Sequence, residues 1–113
     1  MSDLLNQNKI QASDLENLLN ERGVGNVSFI LVDVREQYEY DKEHIVGVDY
    51  LLPLSNLGND LEKIDPHKES VVILQCKSGG RSLQAQRYLT NMGFQKTFNM
   101  EGGISAYSGP TKK

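Results

Sequence analysis

The sequence contains few of the residues that form disulfides or bind metals. It has one cysteine and two histidines. One cysteine cannot form an internal disulfide, and with two histidines it gives no zinc pattern. No apolar run approaches the roughly 20 residues that a membrane helix needs. The start, MSDLLNQNKI, also lacks the apolar stretch of a secretory signal. We therefore predict a cytoplasmic protein with no metal, organic cofactor or membrane partner, whose thiol stays reduced.

The chain length and composition predict one soluble domain. A chain of 113 residues can form a single core but not two. We expect this domain to span residues 1–113, with frayed ends at residues 1–8 and 108–113. The hydrophobic fraction of 38% and charged fraction of 24% are ordinary for a globular protein. The net charge of −3 argues against general nucleic-acid binding.

Acidic residues are missing from one long stretch of the sequence. Residues 70–100 contain no Asp or Glu, and they carry four cationic side chains: Lys77, Arg81, Arg87 and Lys96. The rest of the chain has 8 basic and 15 acidic residues, which gives −7. The only cysteine, Cys76, therefore lies inside the one basic segment of an acidic protein.

Apolar patterns predict alternating strands and helices. We expect strands over 27–34, 70–76 and 94–100, with a further strand after Gly47. Helices are predicted at 13–23, with Ser13 and Glu16 as a capping box, and at 57–64, ended by Asp65-Pro66. A short polar helix or turn over 36–44, a helix ended by Gly93 and a last helical turn at 101–107 complete the prediction.

This order predicts an α/β fold: a mostly parallel central sheet of about five strands with helices on both faces. No hairpin signal is present. In such sheets, sites form at the carboxyl ends of the strands. Cys76 follows the apolar run VVILQ and therefore falls at such an end.

The segment CKSGGRS, residues 76–82, has the composition of an anion-binding loop. Gly79 and Gly80 allow consecutive N–H groups to turn inward. Ser82 is predicted to cap the following helix, and the loop cations lie close to the sulfur. A cysteine at the end of a core strand is ordinarily a packing residue. The polar, basic and Gly-rich residues that follow Cys76 favour instead a thiolate in an anion cradle.

Four segments of the chain resemble motifs of the rhodanese family, specifically its small single-domain members. They are LVDVRE, EHIVG, CKSGGRS and MEGGISAY, in this order. The resemblance implies a rhodanese-like fold and sulfur transfer, in which the Cys76 thiolate takes the outer sulfur of a donor and becomes a persulfide. The donor would be a small anion such as thiosulfate, polysulfide or a persulfide, and the acceptor a thiol or cyanide.

The sulfur transfer implied by this resemblance also predicts roles for the other residues of the loop. The backbone of residues 77–82 would form the cradle, and the predicted substrate-binding residues are Lys77, Ser78, Gly79, Gly80, Arg81 and Ser82. Lys77 and Arg81 would hold the anionic end of the donor, and Ser78 and Ser82 would donate hydrogen bonds. Asp33 and Arg35 stand at a strand end, where they either bracket the site or form a structural ion pair; the ion pair is favoured.

Three other functions remain open on the sequence. A cysteine-dependent phosphatase resembles this chain in its loop, but has five residues between Cys and Arg where this chain has four. A Cys–His hydrolase would need His44 or His67. A sulfur carrier or redox-sensing module needs the same loop as the enzyme, so only turnover separates the two.

Overall fold

Five parallel strands form the central sheet of the computed structural model, which describes residues 8–113. In chain order the strands are β1 (Lys9–Gln11), β2 (Ile30–Asp33), β3 (His44–Ile45), β4 (Tyr50–Leu51), β5 (Val71–Gln75), β6 (Lys96–Glu101) and β7 (Thr111–Lys112). The sheet order is β1-β6-β5-β2-β4, and every neighbouring pair is parallel. The predicted α/β fold with a parallel sheet is confirmed.

Helices cover both faces of this sheet, as predicted. They are α1 (Ala12–Gly23), α2 (Gln37–Lys42), α3 (Leu57–Asp60) and α4 (Gly80–Asn91), with 3₁₀ turns at Leu54–Asn56, Leu61–His67 and Ile104–Ala106. Ala12 and Leu15 of α1 belong to one core cluster, with Leu31 and Ile73 of the sheet. Leu57 of α3 and Ala85 and Leu89 of α4 belong to the other cluster. Across residues 8–113, no helix combines the length and the apolar character that a membrane span requires.

The two central strands explain how the core places the cysteine. Successive strand residues point to opposite faces, and both faces of β2 and β5 are covered. Val72, Leu74 and Cys76 lie in the cluster that also holds Ala85 and Leu89 of α4. Cys76 therefore continues the row of β5 side chains that faces α4, one residue beyond the end of the strand.

Two helix boundaries differ from the prediction. Helix α1 begins at Ala12, and the Gln11 N–H donates to Asp14 Oδ2 at 3.0 Å, so the Ser13–Glu16 box is not its start. The segment after α3 continues through Pro66 as a 3₁₀ turn to His67. Pro66 is tolerated there because its fixed φ is compatible with a 3₁₀ turn. Its missing N–H removes only one backbone hydrogen bond.

The C-terminal segment is paired rather than free. Strand β7 forms an antiparallel ribbon with β3 through Thr111 and Lys112, within residues 108–113 that were expected to be frayed. The Thr111 hydroxyl also donates to Glu43 Oε2 at 2.6 Å. At the other end, residues 1–7 of the predicted frayed segment lie outside the described residues. The Asn8 carbonyl accepts hydrogen bonds from the Asn99 N–H and the Gln86 side chain.

Candidate active site

Cys76 lies at the carboxyl end of the central strand β5, where the chain turns into α4. The residue is 1% exposed. Gly79 adopts a φ of 116°, a left-handed conformation that favours glycine, and precedes the first residue of α4. The loop from Cys76 to Gly79 is therefore tight, and it holds the sulfur close to the N-terminus of the helix.

Donor groups of the loop surround the sulfur. The Gly79 N–H lies 3.0 Å from Cys76 Sγ, and the Ser82 hydroxyl lies 3.3 Å from it. Ser82 was predicted to cap α4, but Gly79 occupies the N-cap and Ser82 lies within the first turn. The reason is geometric: the left-handed Gly79 starts the helix earlier, and this brings the Ser82 side chain over the sulfur.

These contacts determine the ionisation of the thiol. Burial by itself raises the pKa of Cys76, because a low-dielectric environment disfavours the charged form. Hydrogen bonds from the Ser82 hydroxyl and from the N–H groups of Ser82, Gly79 and Ser78 outweigh burial, so the pKa lies below its ordinary value. The site therefore favours a thiolate through directed hydrogen bonds.

Arg81 is engaged by a residue that sequence reasoning missed. Its guanidinium donates to both carboxylate oxygens of Glu39, at 2.7 and 2.9 Å. These hydrogen bonds lower the pKa of the Glu39 carboxyl to about 2, despite the opposing effect of burial. The pKa of Arg81 is raised, first by the same bonds and to a smaller extent by the negative charges of Glu39 and Cys76. Arg81 thus connects the start of α4 to α2.

Asp33 and Arg35 form a separate buried ion pair after strand β2. Asp33 is 0% and Arg35 5% exposed, and Arg35 Nη2 lies 2.8 Å from Asp33 Oδ2. Arg35 also donates to the Glu43 carbonyl at 2.9 Å. Because these bonds run from the strand end to the end of α2, the pair holds α2 in place.

The segment after β6 closes over the active-site loop. The Ile104 N–H donates to the Cys76 carbonyl and the Ser105 N–H to the Lys77 carbonyl, both at 3.0 Å. A Cβ atom at Gly103 would lie 2.4 Å from each of these carbonyl oxygens. Only glycine therefore fits at this position, because any side chain would displace the loop.

Lys77 is exposed and opens onto a cleft of about 630 Å³. Tyr38, Lys42 and Tyr107 also line this cleft. Ser78, Gly79 and Gly80 line a second cleft of about 380 Å³, on which Asn99 of β6 also opens. Four of the predicted loop residues therefore line these clefts, with Lys77 as the loop cation on the larger one, whereas Arg81 and Ser82 line neither.

The histidines take part in other contacts. His44 stacks on Tyr40 with ring centroids 3.8 Å apart, and its Nδ1 lies 3.0 Å from the Tyr40 carbonyl. His67 contacts the Tyr50 hydroxyl at 3.4 Å. Within residues 8–113, no group of three or more His, Cys, Asp or Glu side chains is arranged to hold a metal ion.

Sequence reasoning missed three contributors to the site. Glu39 pairs with a residue 42 positions away, the Ile104 N–H acts through its backbone, and Asn99 contacts the Ser82 hydroxyl through Oδ1. The segment 36–43 is rich in acidic residues and the loop is basic, so charge complementarity was an available signal for Glu39. No local pattern marks Asn99.

Comparison with known proteins agrees with this geometry. The family model described as "Rhodanese-like domain" matches residues 11–109. The chain is 36% identical over 94 residues to "Putative sulfurtransferase YtwF" of Bacillus subtilis (strain 168), covering 83% of this chain and 87% of that protein. It is 35% identical over 85 residues to "Putative sulfur carrier protein YrkF" of the same organism, covering 75% of this chain.

Solved structures and longer relatives extend the comparison. The structure described as "rhodanese with anions from E. coli" superposes with a TM-score of 0.66 at 28% identity, covering 76% of this chain and 99% of that one. The chain spans 44% of the length of YrkF. It spans 26% of the Arabidopsis thaliana protein named "Rhodanese-like/PpiC domain-containing protein 12, chloroplastic", with 39% identity over 82 residues. By its fold, its cysteine loop and the extent of these matches, the chain belongs to the rhodanese-like family.

Proposed function

We propose that this protein is a sulfurtransferase that moves sulfane sulfur from thiosulfate or a related persulfide donor to a thiophilic acceptor through a persulfide on Cys76. The observation that carries the proposal is the placement of two donors, the Gly79 N–H and the Ser82 hydroxyl, within hydrogen-bonding distance of the sulfur. They favour the thiolate, which is the nucleophilic form. The Gly79 N–H is fixed by the backbone before reaction, so it costs no reorganisation when charge develops on the sulfur.

The reaction has two balanced steps. In the first, the Cys76 thiolate uses an electron pair to bond the outer sulfur of thiosulfate, and the sulfur–sulfur bond of the donor breaks to release sulfite. In the second, cyanide or a thiolate bonds the outer sulfur of the Cys76 persulfide, and the original thiolate is regenerated. With cyanide the product is thiocyanate. Each step exchanges one anionic nucleophile for another, so no external oxidant or reductant is needed.

Lys77 is the proposed partner for the anionic end of the donor. It lies next to Cys76 in the chain, and its side chain is exposed at the larger cleft. Arg81, which was predicted for the same role, has both carboxylate oxygens of Glu39 as partners. We assign Arg81 the task of bracing the loop. The E. coli rhodanese structure was solved with anions, which supports an anion cradle in this family.

Intact-mass measurement after thiosulfate treatment tests the first step. We expect wild type to gain the mass of one sulfur atom and to lose it again with cyanide. The Cys76→Ser variant should fold as wild type does, judged by thermal unfolding, and should gain no mass. Sulfur loading of the folded Cys76→Ser protein would reject the assignment.

A sulfur carrier is the second candidate, because YrkF bears that description. A carrier and an enzyme both form the Cys76 persulfide, and they differ in turnover. Steady-state thiocyanate production from thiosulfate and cyanide separates them: many turnovers for each protein molecule support the enzyme, and a single stoichiometric transfer supports the carrier. For either function we propose the cytoplasm as the location, because the lone thiol has to stay reduced.

A further inference from the structure

The Ser82 hydroxyl lies within hydrogen-bonding distance of three acceptors, but it can donate to only one of them at a time. Ser82 is 0% exposed, and its Oγ contacts Cys76 Sγ at 3.3 Å, the Gly79 carbonyl at 3.1 Å and Asn99 Oδ1. A hydroxyl has one hydrogen to donate. The Gly79 carbonyl also accepts the Leu83 N–H at 3.1 Å, so it does not depend on this hydroxyl for a partner. The competition is therefore between the sulfur of Cys76 and the amide oxygen of Asn99.

Asn99 can present either a hydrogen-bond acceptor or a donor to Ser82. A half-turn of its side-chain amide exchanges the oxygen for the NH₂ group. The residue is 6% exposed, on strand β6, and one side of it opens onto the cleft of about 380 Å³. Asn99 thus borders open space on one side and the Ser82 oxygen on the other.

We propose that Asn99 is a positioning residue that directs the Ser82 hydroxyl either toward the Cys76 sulfur or away from it. When the amide oxygen faces Ser82, the hydroxyl donates to Asn99, and the S–H of a neutral Cys76 donates to Ser82 Oγ. When the NH₂ group faces Ser82, it donates to Oγ, and the hydroxyl donates to the thiolate. The first orientation therefore satisfies the hydrogen bonds among Asn99, Ser82 and a neutral Cys76, and the second satisfies them when Cys76 is a thiolate.

The consequence for catalysis rests on the proposed function. When Cys76 ionises, its proton leaves to solvent, and the amide turn lets the hydroxyl point at the new negative charge. The persulfide that follows is also an anion and would accept the same hydrogen bond. No proton passes between Ser82 and Asn99. Asn99 acts only through Ser82 and needs no contact with the donor.

Two substitutions at Asn99 separate this role from simple packing. In Asn99→Asp the ionised side chain can only accept, so it keeps the hydroxyl away from the sulfur. In Asn99→Ala the competing acceptor is gone, so the hydroxyl is free to donate to the sulfur. The charged groups around the loop stay unchanged in both variants: Lys77, Arg81, the Glu39 carboxylate on Arg81, and Glu101 of β6.

Thr97 offers a matched control. It lies two residues earlier on β6, on the same face of the sheet, and is 2% exposed. Its hydroxyl contacts Thr90 Oγ1 at 3.2 Å, away from the sulfur. Thr97→Val therefore removes a buried polar group from the same strand without changing the hydrogen bonds of Cys76.

The measurement is the pH profile of Cys76 alkylation by iodoacetamide. At a fixed pH near neutrality we expect Asn99→Asp to react about tenfold more slowly than wild type, the loss that follows from one hydrogen bond to a charged group. Asn99→Ala should react at least as fast as wild type, and Thr97→Val at the same rate. Thermal unfolding of each variant confirms that it is folded.

The decisive comparison repeats Asn99→Asp in a protein that already carries Ser82→Ala. Because the hydroxyl mediates the effect, the slowing caused by Asn99→Asp should shrink several-fold in that background. The same slowing in both backgrounds would overturn the proposal, since it would reflect only the buried charge. If Asn99→Asp does not fold, slower alkylation of Asn99→Ala than of Thr97→Val would also overturn it. Alkylation needs no sulfur donor, so a failure of sulfur transfer would reject the proposed function and leave this test intact.

Discussion

Two of the arginine–carboxylate pairs within residues 8–113 anchor α2, and they differ in burial and in span. Asp33 and Arg35 are two residues apart, with side chains 0% and 5% exposed. Glu39 and Arg81 are 42 residues apart, with side chains 17% and 34% exposed. The first pair fixes the end of a strand to α2, and the second fixes α2 to the helix that follows the active-site loop.

Both pairs are close arginine–carboxylate contacts, but their difference in burial implies different contributions to the free energy of unfolding. A buried charge that loses its partner is strongly destabilising, whereas a solvent-exposed pair contributes little. We infer that the Asp33–Arg35 pair matters for folding, and that the Glu39–Arg81 pair matters for the position of the loop. The following predictions test this division.

The largest effect is expected for Arg35→Ala. It leaves the fully buried Asp33 carboxylate without its cation, and we expect the free energy of unfolding to fall by about 3–5 kcal/mol. Urea unfolding measures the loss. The double variant Asp33→Leu/Arg35→Met, which removes both charges, should recover part of it. A loss below about 1 kcal/mol for Arg35→Ala would show that the two pairs are energetically alike.

The second prediction concerns the pair of Glu39 and Arg81. Arg81→Ala and Glu39→Gln should each lower stability by about 1 kcal/mol or less, as expected for a partly exposed pair. If Arg81 braces the loop, both variants should lower kcat/KM for thiosulfate to a similar degree, and the double variant should add little. If Arg81 instead binds the donor, Glu39→Gln would release it and improve thiosulfate use. Lys77→Ala is the control, because it removes the other loop cation and leaves this pair in place.

Acid titration gives the third, smaller effect. The folded pKa of Glu39, about 2, lies below its ordinary value of 4.5, so the pair contributes stability above pH 4.5 and loses it as the pH falls toward 2. The stability difference between wild type and Glu39→Gln should therefore be constant from pH 6 to 8 and should shrink below about pH 4.5. Urea unfolding at each pH measures it. A difference that changes between pH 6 and 8 would point to another titrating group.

The smallest effect is expected at the C-terminal ribbon. Thr111→Val removes the hydrogen bond to Glu43, whose carbonyl accepts from Arg35. We expect a loss of about 0.5 kcal/mol, the lower end for a single hydrogen bond, and an unchanged rate of Cys76 alkylation. Lys112→Ala serves as the control within the same strand. Slower alkylation of Cys76 in Thr111→Val would show that the ribbon affects the reactivity of the active-site thiol.

The fold was largely predictable because strong local patterns specify it. The β-branched runs of β2 and β5, and the glycines after Cys76, mark two central strands and the loop between β5 and α4. The ribbon of β3 and β7 was missed because strands of two residues are too short to show the alternation of apolar and polar side chains that marks a strand. The partner of Arg81 was missed because it lies 42 residues away, and the role of Ser82 because left-handed Gly79 moves the helix start.

The position of Gly103 in the chain determines when the active-site loop can form its last hydrogen bonds during synthesis. The carbonyls of Cys76 and Lys77 obtain their partners from Ile104 and Ser105, which dock only because residue 103 has no side chain. During synthesis on the ribosome the cysteine emerges well before these residues do. A nascent chain that ends before residue 104 has the nucleophile but not the two bonds that fix its loop. The loop carbonyls of Cys76 and Lys77 therefore gain these partners only once the segment after β6 has been made.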